Sequence, residues 1–416
     1  MHLVATIFEE SRESAIAAIR ALPAGGHDMV EVRLDAFEGG SADFGAFRAA
    51  SSKPIILTNR GGAPPDIVAA LAAGIEFVDV EYRPDRDLGP YRDRIVLSHH
   101  DFESMPDVGS LIEEMTAFRC AHTKIAVTPR TLRENEVLLE SARPGLTIFG
   151  MGERGLYSRI LAPFFGSELA FAGSAAPGQL SLETAGAIYG ERGLPRPEKI
   201  FAVAGNPAGH SLSPSIHNPL FRSHGLPAAY TIASFESFDE IAAAFEQGRI
   251  AGLSVTAPFK DDALAFAQRC GAAIASNAHE AAAVNTLVRT ARGIVADNTD
   301  VDGFETLLRD AAGRRAAVVG AGGTGRAAVV ALRRLGREVV VYNRTARPGT
   351  QPLEALARCN ADIVVNTLPP GAVVEMPSAR TVIEAAYGRR RQSDTGLRLL
   401  KAQAIRQNEL FRSAFA

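Results

Sequence analysis

Lys124 stands in the stretch Thr123-Lys-Ile-Ala-Val-Thr128, whose other members suit the interior of a β-sheet. A lysine is almost never fully buried without a partner. An edge strand wearing a charge against aggregation is the plain explanation. The chemical one is an amine in a low-dielectric pocket, where burial lowers its pKa and frees it to attack a ketone or aldehyde as a Schiff-base nucleophile. That chemistry needs a proton acceptor, and Ser98-His99-His100-Asp101 offers one at the end of another apolar run. Successive strand residues point to opposite faces, so only one of the two histidines can line the pocket. The same alternation argues against a two-histidine metal site, and no metal is expected.

More polar residues stand at the ends of apolar runs. Glu31, Arg33 and Asp35 alternate, as do Asp79 and Glu81, so each set is expected to share a strand face. Arg60 ends a third run, and Arg159 and Gln179 follow the last two. The elements that must carry them recur with a regular beat. Strand-like runs start near His2, Met29, Pro54, Glu76, Arg94, His122, Leu146 and Glu168, with helical patterns such as Ser14–Leu22, Asp66–Gly74 and Arg133–Arg143 between them. This alternation predicts a parallel sheet closed into a (β/α)8 barrel, with an open doubly wound sheet as the alternative. In a barrel, chemistry sits at the C-terminal ends of the strands, where these polar residues gather.

After the linker Glu191–Ile200 the rhythm changes. A second α/β unit opens at Lys199-Ile-Phe-Ala-Val-Ala-Gly, and further on stands Arg315-Ala-Ala-Val-Val-Gly-Ala-Gly-Gly-Thr-Gly-Arg. Gly320, Gly322, Gly323 and Gly325 lie between a strand pattern and a helix pattern, the context in which glycines let a pyrophosphate approach a helix N-terminus. The following strand ends at Asn343-Arg344-Thr345, with no acid to hold ribose hydroxyls and a guanidinium suited to a 2′-phosphate. NADP is expected over NAD.

The bulk numbers set limits. The 416 residues imply two or three domains, and a net charge of −3 provides no basic footprint for nucleic acid or an acidic membrane. Three scattered cysteines argue against a disulfide framework and for a reducing compartment. No leader pattern and no long apolar stretch is apparent. The expectation is a cytoplasmic protein with small-molecule substrates and neither nucleic-acid nor membrane partners.

Residues 1 to about 190 resemble type I 3-dehydroquinate dehydratases, through Glu31-Val-Arg-Leu-Asp35, Ser98-His-His-Asp-Phe102, Thr123–Thr128, Ser158-Arg159 and Ala176-Pro-Gly-Gln179. From about 199 onward the chain resembles shikimate dehydrogenases. The matching stretches are Gly205–Asn218, Gly252–Lys260, Ala283–Leu287, Asp297–Gly303, Gly320–Ala328, Asn343–Thr345 and Gln403–Phe411. The resemblance implies an N-terminal (β/α)8 barrel followed by a two-domain α/β dehydrogenase. Its domains would be a barrel over 1–190, a substrate-binding domain over 199–303 with a C-terminal return over 390–416, and a Rossmann NADP-binding domain over 304–389. It implies dehydration of 3-dehydroquinate to 3-dehydroshikimate, then NADPH-dependent reduction to shikimate. Lys124 would form the Schiff base and His100 would be the general acid and base. Glu31, Arg33 and Arg60 would bind substrate, Arg159 would clamp its carboxylate and Gln179 would bond its hydroxyls. Lys260 and Asp300 would be the catalytic pair of the second half. Ser211 and Ser213 would bind the carboxylate there, and Thr256, Asn285 and Gln403 would make further substrate contacts. His210 and His217 are expected to be structural.

Four departures stand out. The glutamate that the first family places in the loop after Arg60, where it orients the histidine, is absent from Arg60-Gly-Gly-Ala-Pro-Pro-Asp66. Glu31, Asp79 or Glu81 would have to take that role. Ala175 stands where a serine is usual, and Ser254 where an asparagine is common. Between Tyr387 and Gly396 only the basic run Gly388–Thr395 remains of a normally longer segment, which shortens the tether to the helix carrying Gln403. Other readings are a class I aldolase-like barrel fused to a different reductase, a shikimate- or quinate-sensing regulator without catalysis, and quinate dehydrogenation in the second half. The aldolase reading leaves Ser98–Phe102 with Ala176–Gln179 unexplained. The regulator would be expected to have lost Lys124 or Lys260, and both are present. Paired Ser211 and Ser213 favour shikimate over quinate.

Overall fold

The computed structural model describes residues 1–37, 43–190, 194–369, 371–387 and 394–416. Residues 191–193 of the expected linker and 388–393 of the basic run lie outside the described residues. The chain forms two compact units, residues 1–199 with 218–235, and residues 200–217 with 236–416.

Eight strands build the first unit: β1 (His2–Ile7), β2 (Met29–Arg33), β3 (Ile55–Thr58), β4 (Phe77–Glu81), β5 (Ile95–His100), β6 (His122–Val127), β7 (Leu146–Gly150) and β8 (Leu169–Ala172). They stand in the order β7-β6-β5-β4-β3-β2-β1-β8, every ladder parallel. The last seam carries no ladder. Instead the Glu168 N–H donates to the Leu146 carbonyl at 3.0 Å and the Leu169 N–H to Thr147 Oγ1 at 3.0 Å. The ring is therefore a near-barrel and not an open sheet.

Alternation along each strand sorts the residues. One set packs outward beneath the helices, including Val30, Val32, Ile55, Leu57, Val78, Leu97, Ile125 and Ile148. The other points inward, where Val4, Met29, Ile56, Val96, Leu169 and Phe171 form an apolar plug. Two residues further along the same face the character changes: Val4 gives way to Thr6, Met29 to Glu31, Ile56 to Thr58, Phe77 to Asp79, Val96 to Ser98 and His122 to Lys124. The polar layer thus lies over a packed floor that keeps water from below. Helices over Arg12–Ala21, Ile67–Ala72 and Leu132–Ser141 start at Ser11, Asp66 and Thr131, whose side chains accept from N–H groups of the first turn. Each such cap stabilises its helix by about 1 kcal/mol. In the same unit, the strand Ala228–Ser234 lies against the helix Leu156–Leu161: Thr231 Oγ1 donates to the Tyr157 carbonyl at 3.1 Å, and Ser234 Oγ to Glu153 at 2.8 Å.

Two expected placements need correction. Asp35 does not continue the face of Glu31 and Arg33, because β2 ends at Arg33 and Asp35 sits in a 3-10 turn, Leu34–Ala36. There it accepts from the Arg33 guanidinium through both oxygens, at 2.9 and 2.7 Å. Arg60 does not end β3, which stops at Thr58, and a loop position lets its long side chain swing back over the barrel.

In the second unit the strands Lys199–Gly205, Gly252–Val255, Thr286–Thr290, Gly293–Asp297 and Ala273–Ile274 are neighbours in that order. A five-stranded parallel sheet follows, with Arg315–Val319 at its centre between Glu338–Asn343 and Ile363–Asn366 and with Thr350–Pro352 and Thr381–Glu384 at its edges. The glycine loop leads from the central strand into the helix Gly323–Arg334, a Rossmann arrangement. The last helix, Asp394–Arg412, returns against Thr299–Leu308. Gly303 makes this approach possible, since a Cβ there would meet Leu399 at 3.0 Å and Gln403 at 3.1 Å. Among the described residues no helix is long and apolar enough to cross a membrane.

Candidate active sites

A cavity opens over the barrel's polar layer. Glu31, Arg33, Arg60, His100, Lys124, Arg159 and Gln179 all line it, with Phe102, Phe149 and Phe171 as apolar walls and Ala175, Ala176 and Pro177 at its rim. Lys124 is only 5% exposed. Its Nζ lies over the Phe171 ring, 3.8 Å from the centroid, and 3.9 Å from both Glu31 Oε1 and Asp79 Oδ2. Neither carboxylate touches it. Glu31 is occupied by Thr6 Oγ1 at 2.8 Å and Thr58 Oγ1 at 2.9 Å, while Asp79 takes Ser98 Oγ at 2.7 Å and pairs with Arg60 at 3.1 Å. Burial pulls the Lys124 pKa below its ordinary value; Glu31 and Asp79 oppose this, and Arg60 and Arg33 reinforce it.

His100 is the histidine that faces the cavity. Its Nδ1 is 3.0 Å from Glu81 Oε2, and its backbone N–H donates to Glu81 Oε1 at 2.8 Å. Burial pushes its pKa down to about 4, against the Glu81 hydrogen bond and with help from the Lys124 and Arg60 charges. The imidazole is therefore neutral, a base, across the physiological range. Arg159 is 8% exposed, donates to the Gly150 carbonyl at 3.2 Å and lies 4.4 Å from the Phe149 ring centroid. Burial lowers even this guanidinium's pKa, to about 10. Among the described residues no carboxylate pairs with it, so a buried cation faces the cavity with its charge uncompensated. Gln179 reaches across to Thr6 Oγ1 at 3.0 Å, and its own oxygen accepts from the Ala175 and Ala176 N–H groups.

A second cavity lies in the second unit. Ser211, Ser213, Thr256, Lys260, Asn285, Asp300 and Gln403 line it together, although the sequence spreads them over almost two hundred positions. Lys260 pairs directly with Asp300, whose other oxygen accepts from Asn285 Nδ2 at 2.9 Å. Thr299 Oγ1 donates to Gln403 at 3.0 Å, which ties the last helix into the cavity despite the shortened tether. His217 is buried away from the cavity, where burial pushes its pKa down to about 3. His210, read as structural, lines the cavity.

The glycine loop has the shape a dinucleotide needs. Gly320 adopts a φ of +102°, and a Cβ on Gly325 would fall 2.1 Å from the Gly320 carbonyl oxygen, so neither position admits a side chain. Beside Gly322 the space is open. Asn343 ends the neighbouring strand and accepts the Ala321 N–H at 3.2 Å while donating to the Thr345 carbonyl at 2.7 Å. Arg344 stands exposed next to it. This surface fits a dinucleotide with its pyrophosphate over the loop.

Residues 3–194 match the type I 3-dehydroquinase family, and residues 203–287 match the shikimate dehydrogenase substrate binding domain. Each of the two parts is thus similar to a different enzyme family. It is 33% identical over 353 residues to the pentafunctional AROM polypeptide of Mycosarcoma maydis, covering 72% of this chain and 20% of that protein. It is 26% identical over 383 residues to the bifunctional 3-dehydroquinate dehydratase/shikimate dehydrogenase, chloroplastic, of Arabidopsis thaliana, covering 80% of this chain and 63% of the plant protein. The chain thus spans about a fifth of the pentafunctional relative's length. Among solved structures, the dehydroquinate dehydratase and shikimate dehydrogenase from S. pombe AroM aligns with 99% of this chain and 95% of its own, at 23% identity and a TM-score of 0.39.

Against the type I 3-dehydroquinase pattern, the missing loop glutamate finds a substitute in space. Of the three acids able to replace it, Glu81 is the one bonded to His100. Alternation along β4 brings it to the cavity face, but only the stagger between β4 and β5 decides that it meets His100. In the second unit, Gln407, Tyr387 and Thr324 are not among the residues that the sequence singles out. All three line the cavity. Gln407 accepts Ser254 Oγ at 2.5 Å and donates to Thr286 Oγ1 at 2.8 Å. Its position four residues after Gln403 on one helix was a usable signal. Tyr387 bonds to Ser211, and its burial raises the phenol's pKa. Nothing local marks it.

Proposed function

We propose that this chain is a bifunctional enzyme that dehydrates 3-dehydroquinate to 3-dehydroshikimate in the barrel and reduces that product to shikimate with NADPH in its second part. The observation that carries the proposal is Lys124: a buried amine with two carboxylates close enough to draw protons but not bonded to it, sharing a cavity with a neutral histidine and an uncompensated arginine. In this scheme the Arg159 charge takes the substrate carboxylate, and Gln179, Glu31, Arg33 and Arg60 bond the remaining polar groups. Neutral Lys124 adds to the ketone and water leaves, forming an iminium. The iminium acidifies the adjacent carbon, and His100 removes that proton. The imidazolium then hands its proton to the departing hydroxyl, and hydrolysis of the imine frees the amine and the enone product.

In the second cavity, Ser211 and Ser213 would hold the carboxylate, with Thr256, Asn285 and Gln403 bonding the ring hydroxyls. Lys260, paired with Asp300, would give its proton to the carbonyl oxygen. NADPH would lie over Gly320, Gly322, Gly323 and Gly325 with Asn343, Arg344 and Thr345 at the adenosine end, and when bound it supplies the hydride. We assign the barrel to residues 1–190, the substrate-binding domain to 199–303 with 390–416, and the nucleotide domain to 304–389. The three cysteines are free, which supports a reducing, cytoplasmic location.

One cuvette tests the proposal: purified chain, 3-dehydroquinate and NADPH, followed by nicotinamide absorbance. The absorbance is expected to fall. If it does not, added 3-dehydroshikimate separates a defective barrel, which would leave reduction intact, from a second part that does not reduce, which would overturn the bifunctional assignment.

A further inference from the structure

Lys260 is held from two sides, and the sequence shows only one of them. Besides its pair with Asp300, its Nζ donates to Thr324 Oγ1 at 2.8 Å. Thr324 is the second residue of the helix that begins at Gly323, directly after the glycine loop. The two elements are in close contact here, for a Cβ on Gly323 would lie 2.8 Å from Lys260 Cδ. A second tie fixes the same register: Arg326 pairs with Asp261, the neighbour of Lys260, and donates to the Ala281 and Ala282 carbonyls at 2.8 and 3.0 Å. The start of the nucleotide-loop helix is thus bound, through Thr324 and Arg326, to the start of the helix Lys260–Arg269.

A pyrophosphate asks the loop for backbone N–H groups and small residues. It gives no reason for a hydroxyl on the side facing Lys260. The lysine does. An ammonium has three protons to donate. With one committed to Asp300 and one to Thr324, the third has a set direction, and Thr324 lines the same cavity as Ser211 and Asn285.

We propose that Thr324 is a positioning residue for the reduction: its hydroxyl aims the Lys260 ammonium and ties the proton donor to the helix that receives the dinucleotide. The inference rests on the reduction proposed above and adds a residue to it. The test compares Thr324→Val, which keeps the shape and removes the hydroxyl, with Thr324→Ser, which restores it. Thr324→Val is expected to lower kcat for 3-dehydroshikimate reduction about tenfold, the loss of one hydrogen bond to a charged group, with both KM values within about twofold. Thr324→Ser is expected to recover most of kcat. An unchanged KM for NADPH together with an unchanged thermal unfolding profile reports that the unit carrying Thr324 is folded, and Thr324→Ala replaces the valine variant if that packs badly. A second readout needs no turnover: acetylation of Lys260 by limiting acetic anhydride, followed by mass spectrometry, should rise several-fold in Thr324→Val and stay near wild type in Thr324→Ser. Unchanged kcat, a raised KM for NADPH alone, or a serine variant as slow as the valine one would overturn the inference. If the wild type reduces nothing, the proposed function fails by itself, and equal Lys260 acetylation in wild type and Thr324→Val would still refute the role of Thr324.

Discussion

Two lysines have different surroundings in this chain, and the distance to the nearest carboxylate separates them. Lys124 sits over a phenyl ring with Glu31 and Asp79 both at 3.9 Å, each already bonded elsewhere. Lys260 is in direct contact with Asp300 and with the hydroxyl of Thr324. A nucleophile must spend time as the free amine. Burial favours that for Lys124, with Glu31 and Asp79 nearby but beyond hydrogen-bond distance of its nitrogen. A proton donor must be held in place until the hydride arrives, and the contacts with Asp300 and Thr324 fix the Lys260 Nζ. In the proposed scheme, identical side chains acquire opposite chemistry from one or two ångströms of spacing.

Exchanging the two roles by mutation is the severest way to break this contrast. Lys124→Ala is expected to abolish dehydration, and with it trapping of the substrate by borohydride, while reduction of 3-dehydroshikimate continues. Lys260→Ala should do the reverse, lowering reduction by about 10²–10⁴-fold, the usual share of a general acid. Loss of both activities from either change in a folded chain would end the two-site account. A smaller effect concerns the nucleotide. Arg344→Glu should weaken NADPH by about tenfold or more, the worth of a charge-assisted hydrogen bond, and leave NADH nearly unchanged. Equal losses in a competition between the two would remove the 2′-phosphate contact.

The smallest effect sharpens the barrel side. Burial holds the His100 pKa down to about 4 in the folded protein, so NMR titration of its ring should show neutral imidazole well below the ordinary histidine value of 6.5. The Glu81 carboxylate favours the imidazolium. Glu81→Gln keeps an acceptor for Nδ1–H but removes that charge, so the ring's titration should move to still lower pH while kcat for dehydration falls because the base is weaker. A titration that stays put would mean that Glu81 only props the ring. The same depressed pKa has a stability consequence. The unfolded chain takes up a proton at His100 as pH falls through about 6.5 and the folded chain only near 4, so stability is lost across that window.

Much of this was legible in the chain itself. The run Thr123–Thr128 contains a lysine that could be an edge-strand charge or a buried nucleophile, and it faces a cavity. The strict alternation after Met29 and Phe77 foretold which acids turn inward. Asp35 broke the pattern because a strand's end is set by its neighbours' ladders and not by its own letters. Arg60 was placed at a strand end when it needed a loop to reach Glu81 at 2.5 Å and Asp79 at 3.1 Å. His210 looked like an ordinary loop residue until the fold put it on the cavity wall.

By itself the sequence determined the order of strands and helices, the face taken by the polar residues inside the strands, and the glycine loop, since each depends on spacing within a few residues. Tertiary structure alone decided the partners. His100 meets Glu81 across 19 positions, Lys260 meets Asp300 across 40 and Thr324 across 64. Which acid serves the histidine, and which hydroxyl steadies the lysine, follow from strand stagger and helix approach. Those are settled by how the whole core packs, and no local period in the chain encodes them.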